Sequence, residues 1–261
     1  MTSDLLKEYF HFKDNRNSFC GYYDKLIFDN VCRLGYLNLA KWLYRPDEIY
    51  HKKYNEVFLT ACLHDRIKIV KWLHKSDSNK SIDVSQYIFN KTCSRGLIKV
   101  IKWLYKSYNT QIKVDICSLF GIACCDGHID IAEWLYNLPD FIIPSNINDV
   151  FKVVCEYNLL QMAQWLYSFD VIDMSPIRDS IFKYACEHGH IDIAEWIYNI
   201  GDVNINIDNN FFRNVCYHGY IGVAKFFYEI GAVNIRANKN YIISRNVCSR
   251  EIIKWIKNLK K

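Results

Sequence analysis

The chain has 261 residues and a formal net charge of +5; about half of its residues are apolar and 16% are aromatic. Its longest apolar runs are far shorter than the roughly 18 residues that suggest a membrane-spanning helix, so we expect no membrane partner. Residues 1–15 carry acidic groups and lack the apolar stretch and cleavage site of a signal peptide, which predicts a soluble, unexported protein.

Three residue types recur at fixed spacing and predict an array of stacked units. Phe226 and Trp255 continue a series in which tryptophan recurs every 30 or 31 residues, at Trp42, Trp72, Trp103, Trp134, Trp165 and Trp196. A cysteine lies ten residues before each of the first seven members of this series. We call these residues the slot cysteines: Cys32, Cys62, Cys93, Cys124, Cys155, Cys186 and Cys216. A phenylalanine lies four residues before each slot cysteine: Phe28, Phe58, Phe89, Phe120, Phe151, Phe182 and Phe212.

The spacing of the slot cysteines argues against a disulfide framework. In a stacked array they would lie about 10 Å apart, beyond the separation that a disulfide bond allows. We therefore expect small buried hydrophobic residues in a reducing, intracellular compartment. Cys20, Cys117 and Cys125 lie outside the slot, and the sequence assigns them no role.

Residues 175–204 predict two short helices joined by a tight turn. The first is predicted at Ser180–Glu187 and the second at Ile191–Ile200, and apolar residues at helical spacing mark the inward faces: Phe182, Ala185, Cys186, Ile193, Ala194, Trp196 and Ile197. Gly189 and Gly201 follow the two helices, and glycine accepts the left-handed conformation that ends a helix.

This unit resembles the ankyrin repeat. Phe182 matches the apolar residue of the family's Thr-Pro-Leu-His motif, Ala185-Cys186 matches its Ala-Ala pair, and Gly189-His190 matches its Gly-His pair. The same frame holds in other copies, at 32–44, 62–74, 93–105, 124–136, 155–167 and 216–228. The resemblance implies an all-α solenoid of helix-turn-helix units with projecting loops or β-turns. The Thr-Pro-Leu-His motif is absent from every copy, so the resemblance implies less regular ties between turns.

The family's phase predicts seven repeats between two caps. The repeats are 21–50, 51–81, 82–112, 113–143, 144–174, 175–204 and 205–235. Residues 1–20 are expected to supply an N-terminal cap helix, and residues 236–261 a truncated C-terminal capping repeat with a polar end.

The Cys…Gly-His…Trp-Leu-Tyr form of the units is similar to the ankyrin-repeat proteins that are abundant in giant DNA viruses of amoebae. That likeness implies a host-directed adaptor in the host cytoplasm, in one version linking a target to ubiquitin machinery. No F-box-like segment is visible before the first repeat or after the last, which argues against the ubiquitin version.

Charge is segregated along the chain. Residues 1–113 carry 20 basic and 11 acidic residues (+9), residues 114–212 carry 3 and 15 (−12), and residues 213–261 carry 10 and 2 (+8). One interpretation is a solvated charged surface. The other is an acidic middle that attracts a basic segment of a partner protein or a basic stretch of another copy. The basic residues are dispersed and the acidic middle would repel phosphates, so we expect no nucleic-acid partner.

The two residues after each slot cysteine vary in charge, size and aromatic character while the frame around them holds. We expect them on the exposed side of the first helix, where ankyrin arrays bind partners; unconstrained surface drift is the alternative. The candidate partner-binding residues are Arg95, Asp126, Glu156, Tyr157, Glu187, His188, Tyr217 and His218. The loop tips 76–81, 140–148 and 170–178 are further candidates.

Catalytic and metal sites are not predicted. Cys186 lies close in sequence to His188 and His190, but a metal site needs three or four converging ligands, and Cys186 already belongs to the inward slot. The same limit applies to Cys125 and His128. No nucleophile has a distinctive context, and no glycine-rich phosphate loop is present. The sequence thus predicts a non-catalytic protein-interaction scaffold without cofactor or metal; self-association through segregated charge is the alternative function.

Overall fold

The computed structural model describes residues 21–44, 54–76, 82–109, 111–204, 208–235 and 248–259. In these residues all regular structure is helical, without a strand, as the all-α prediction requires. The helices are α1 (Gly21–Leu34), α2 (Leu37–Leu43), α3 (Tyr54–Leu63), α4 (Ile67–Ser76), α5 (Gln86–Ser94), α6 (Ile98–Tyr108), α7 (Ile116–Cys125), α8 (Ile129–Tyr136), α9 (Ile147–Glu156), α10 (Leu160–Tyr167), α11 (Arg178–Glu187), α12 (Ile191–Ile200), α13 (Asn209–His218), α14 (Ile221–Glu229) and α15 (Arg250–Asn258). The cap helix predicted at 1–20 lies outside the described residues.

The contacts group the chain into two compact units, residues 1–119 and 120–261. In the first unit, α1 packs on α2 and α3, α3 on α4 and α5, and α6 on α4 and α5. In the second unit, α9 packs on α10 and α11, α11 on α12 and α13, and α14 on α12 and α13. Within each unit, therefore, helices pair into hairpins, and each hairpin covers its neighbour in the chain. This confirms an all-α repeat.

Each hairpin turns at a left-handed residue placed three positions after the slot cysteine. Five of these residues are glycines, and the other two are Asp65 and Asn158, with φ of 56° and 57°. In the turn after α11, the Gly189 amide donates to the Cys186 carbonyl and the His190 amide donates to the Ala185 carbonyl, at 3.4 and 2.8 Å. This pair of bonds is the Schellman motif, and it recurs after all seven slot cysteines.

The core is built from the repeated phenylalanine, the slot cysteine and the small or aliphatic residues around them. All seven slot cysteines and all seven repeated phenylalanines are buried, as predicted. The residue after each of five tryptophans and after Phe226 is fully buried: Leu73, Leu104, Leu135, Leu166, Ile197 and Phe227. Of the inward residues predicted for 175–204, only Trp196 is not buried.

The predicted burial of Trp196 is met only in part. Trp196 is half-buried, as are the other described tryptophans except Trp42, which is 53% exposed. The Trp196 ring packs against the preceding hairpin, 6.1 Å from the Phe151 ring and edge-on to Tyr167 at 5.7 Å. Such aromatic pairs stabilise the contact between neighbouring hairpins while the ring stays partly exposed.

A second set of contacts ties the loops together. The residue three positions before the repeated phenylalanine accepts a hydrogen bond from a backbone amide of the next loop. The bonds are Asp83 N to Asn55 Oδ1, Asp115 N to Gln86 Oε1, Asp173 N to Asn148 Oδ1 and Asn204 N to Asp179 Oδ1, at 2.8 to 3.1 Å. A side-chain oxygen thus links successive turns although the Thr-Pro-Leu-His motif is missing.

Burial keeps the slot thiols neutral. Loss of hydration first and the neighbouring Glu156 carboxylate second raise the pKa of Cys155 to about 12. The pKa of Cys216 is also raised to about 12, by burial first and by Cys248 second. Of the cysteines outside the slot, Cys117 is exposed and Cys125 is half-buried, while Cys20 lies outside the described residues. A neutral buried thiol is a poor nucleophile, so the slot cysteines act as packing groups.

We predict that Phe151→Ala lowers the free energy of unfolding by about 3–5 kcal/mol, because the fully buried ring leaves a cavity. Tyr157→Ala, six residues away and 68% exposed, should change it by less than about 0.5 kcal/mol. Urea titration followed by circular dichroism measures both. Equal costs would contradict the assignment of Phe151 to the core.

The thiols should differ in reactivity in the native chain. We predict that iodoacetamide at mildly alkaline pH alkylates Cys117 well before Cys155 or Cys216, because the latter are buried and protonated. Peptide mass spectrometry gives the rate at each site, and urea-unfolded chain is the control in which all three sites should react. Native labelling of Cys155 as fast as Cys117 would show that the slot opens readily.

Candidate partner-binding surface

The candidate residues lie where the first helix of each hairpin ends and the Schellman turn begins. After the buried Cys186, the chain leaves α11 through Glu187 and His188, and both are exposed. Tyr157 and Tyr217 are 68% and 57% exposed at the ends of α9 and α13. Asp126, His218 and Arg95 are also exposed, and Glu156 is half-buried. The turn thus presents these side chains to solvent while the cysteine beside them stays in the core.

Backbone carbonyls at these helix ends are bound by side chains of the following hairpin. Arg66 Nε donates to the Arg33 carbonyl at 2.9 Å, and Arg95 Nη1 donates to the Leu63 carbonyl at 2.9 Å. In the second unit, His190 Nε2 donates to the Glu156 carbonyl at 3.1 Å. The last carbonyls of a helix have no partner within it, so each bond caps one helix with the next hairpin. Arg95 therefore has a structural role as well as its predicted binding role.

Three of the predicted residues share one cleft in the second unit. The cleft has a volume of about 340 Å³ and is lined by Glu187, His188, Asn214, Val215, His218 and Tyr220. It lies where the C-terminal ends of α11 and α13 meet the turns that follow them. The Tyr217 ring is adjacent, with its centroid 5.2 Å from that of His218 and its plane edge-on. Glu187, His188, Tyr217 and His218 thus form one surface.

Stacked rings form the two sides of the cleft. On one side, His188 stacks on Tyr184 with centroids 3.9 Å apart, and His190 lies 6.1 Å beyond His188. His188 Nδ1 also donates to the Tyr184 carbonyl at 2.9 Å. On the other side, His218 stacks on Tyr220 at 5.7 Å. These contacts fix the ring orientations, so the cleft offers preformed aromatic faces.

The carboxylates beside this surface are held only loosely. Lys152 and Lys183 lie 3.9 Å from the carboxylates of Glu156 and Glu187, each one helical turn away. Exposed pairs of this kind contribute about 0.3–0.5 kcal/mol. An incoming guanidinium that binds a carboxylate through two parallel hydrogen bonds competes well with them.

Three residues of the cleft were not predicted: Asn214, Val215 and Tyr220. Tyr220 occupies the same position in its hairpin as His190 does in the preceding one. Alignment of the repeats could therefore have shown that Tyr220 lies next to the exposed pair. Asn214 lies two residues before Cys216 and is exposed, whereas Val215 is buried and touches the cleft from below. The periodicity within one helix does not predict these contacts, because the cleft is formed between two hairpins.

Among the described residues, no group of three or more His, Cys, Asp and Glu side chains could hold a metal ion. Cys186 is buried, and burial together with the Glu187 carboxylate raises the pKa of its thiol. Burial and Asp126 likewise raise the pKa of Cys125. Of the helices in the part of the chain that the structure describes, none is long and apolar enough to cross a membrane.

Comparison with known proteins adds no relative. No family model matches the chain, and a search of curated proteins gave no match.

Gly189 forms the turn that sets the cleft's geometry. Its φ is +75°, and a Cβ there would lie 2.5 Å from Cδ1 of Tyr220, inside van der Waals contact. Gly231 has a φ of +70° with no atom within 4 Å of its Cβ position. We predict that Gly231→Ala costs about 1 kcal/mol of unfolding free energy from left-handed strain alone. Gly189→Ala should cost clearly more, because Tyr220 must also move.

Urea titration of both alanine variants measures the difference. Tyrosine and tryptophan fluorescence of the folded variants gives a second readout of the shift of Tyr220. Equal costs for the two substitutions would mean that Tyr220 moves aside freely and that the cleft wall is not preformed.

Proposed function

We propose that this chain is an ankyrin-like array that acts as a non-catalytic protein-interaction scaffold. Repeated helix hairpins, left-handed turns and the hydrogen bond from His190 to the end of α9 in the preceding hairpin support the ankyrin-like interpretation. The buried interior repeats one set of residue types, whereas the exposed residues after each slot cysteine differ from hairpin to hairpin. Such division between a constant frame and a variable surface suits recognition of a protein partner.

The partner that fits the second unit best is a protein with a basic, arginine-containing segment. Glu187 supplies a carboxylate in the cleft, Glu156 supplies another at the end of the preceding first helix, and Tyr and His rings supply flat faces on which a guanidinium stacks. Tyr157 and Tyr217 are exposed and of a type that is enriched among residues dominating binding energy. The cleft itself, lined by Glu187, His188 and His218, carries this proposal.

The cellular setting follows from the resemblance to viral ankyrin-repeat proteins. We place the chain in a reducing compartment, the host cytoplasm in the viral case, as a host-directed adaptor. The buried, protonated slot thiols support this setting because the fold uses them as packing groups and not as disulfide partners.

The test is selection of binders from a displayed random-peptide library on the full chain. We expect enrichment of arginine-containing peptides. We expect it to be lost on the variant Tyr157→Ala/Glu187→Ala/Tyr217→Ala, which removes two anchors and one carboxylate from the surface. All three residues are exposed, so circular dichroism should show an unchanged fold.

The matched control is Asp130→Ala/Gln164→Ala/Glu195→Ala, which changes three exposed residues on second helices. It should retain the enriched peptides. Peptides that bind the wild type and the cleft variant equally well would reject this binding surface. Enrichment of acidic or purely apolar peptides would contradict the proposal of a basic partner but not the assignment of the binding surface.

A further inference from the structure

The second helices of four hairpins carry exposed charges whose sign is opposite in the two units. These charges occupy the sixth and ninth positions after the slot cysteine, three residues apart on one helix face. The first unit has Lys68 and Lys71 on α4 and Lys99 and Lys102 on α6; the second has Asp130 and Glu133 on α8 and Asp192 and Glu195 on α12. All eight side chains are exposed. The last hairpin of the second unit departs from this pattern, because the ninth position on α14 is the exposed Lys225.

In the first unit the lysines form a continuous two-row array. The lysine face consists of Lys68, Lys71, Lys75, Lys99, Lys102 and Lys106, all exposed. Helices α4 and α6 pack against each other, and neither contains an acidic residue. Residues three apart rise about 4.5 Å along a helix, and packed helices lie about 8–10 Å apart. These separations are within the Debye length at physiological salt, about 8 Å, or close to it, so the charges act together.

In the second unit the same positions form an acidic face. Asp130, Glu133, Asp192 and Glu195 define it, and the corresponding residues of α10 are the neutral, exposed Gln161 and Gln164. None of α8, α10 and α12 contains a lysine or arginine. Within each helix the acidic pair has the spacing of the lysine pairs, because both occupy equivalent positions of equivalent hairpins.

We infer that the lysine face of one copy binds the acidic face of another copy of this chain. The two faces are opposite in charge, and the charged pair on each helix has the same spacing in both, so a lysine pair of one copy can meet a carboxylate pair of the other in register. A nucleic acid or an anionic membrane would be attracted by the lysine face but repelled by the acidic face. Only a partner that carries both charges, such as a second copy, is attracted by both. This inference is independent of the cleft and its proposed partner.

The contact would join different surfaces of the two copies. One such contact leaves the lysine face of one copy and the acidic face of the other unused, so these two faces can pair with each other or bind further copies. Single exposed ion pairs are weak, and salt screens them. Association should therefore depend on several pairs at once and should fall steeply with salt.

Sedimentation velocity of the full chain at low and high salt tests this, together with two reversed variants. One is Lys68→Glu/Lys71→Glu/Lys99→Glu/Lys102→Glu, and the other is Asp130→Lys/Glu133→Lys/Asp192→Lys/Glu195→Lys. We expect wild-type oligomers at low salt and monomers at high salt. Each reversed variant alone should be monomeric at both, and an equal mixture of the two should associate again.

A net-charge control reverses four exposed lysines outside the face: Lys91→Glu, Lys113→Glu, Lys152→Glu and Lys183→Glu. It carries the same total charge as the lysine-face variant and should associate like the wild type. The variant Tyr157→Ala/Glu187→Ala/Tyr217→Ala should also associate normally, which separates this inference from the proposed function. Circular dichroism and thermal unfolding check that every variant is folded.

Several results would overturn the inference. They are a wild-type monomer at low salt, oligomers that survive lysine reversal, and a mixture of reversed variants that stays monomeric. Dissociation of the control to the same extent as the lysine-face variant would attribute the effect to net charge alone. Association that requires added duplex DNA or anionic lipid vesicles would assign the lysine face to that polyanion instead.

Discussion

The Schellman turn after each slot cysteine is the constraint on which the rest of the structure depends. It requires one residue in the left-handed region, and it returns the chain antiparallel within three residues. The cysteine before the turn can then be buried while the two residues after it face solvent. Glycine meets this requirement at five hairpins, and Asp65 and Asn158, whose side chains tolerate positive φ, meet it at the others. The turn thus fixes both the core position and the binding position.

Side chains of varied type then make similar ties between hairpins. Asn, Gln and Asp supply the oxygen that binds the next loop, and Arg or His caps the preceding helix end. Since the geometry needs only one acceptor or donor at the right distance, no single motif has to be kept. This explains how regular loop ties form without the Thr-Pro-Leu-His sequence.

Much of the fold could be predicted because its signals are local. Helix α12 begins and ends where the sequence predicted, since Gly189 and Gly201 bound it on both sides. The tryptophans were misjudged because helical periodicity assigns Trp196 to the inner side but cannot distinguish core from rim. Tyr220 and Asn214 were missed because the cleft depends on how two hairpins pack, and that packing has no pattern within one unit. The second residue of each varied pair is exposed, as its place beside the turn predicts, whereas the first is half-buried in four hairpins.

The same repeat that constrains the interior leaves two outer surfaces free to vary separately. The ends of the first helices carry the aromatic cleft, and the outer faces of the second helices carry the charged arrays. The two sets occupy different positions of the hairpin, the end of the first helix and the outer face of the second, so no residue belongs to both. Association of copies through the charged faces would therefore use none of the residues that line the cleft. A weak basic ligand would gain affinity from such repeated clefts, since bound copies raise its effective local concentration.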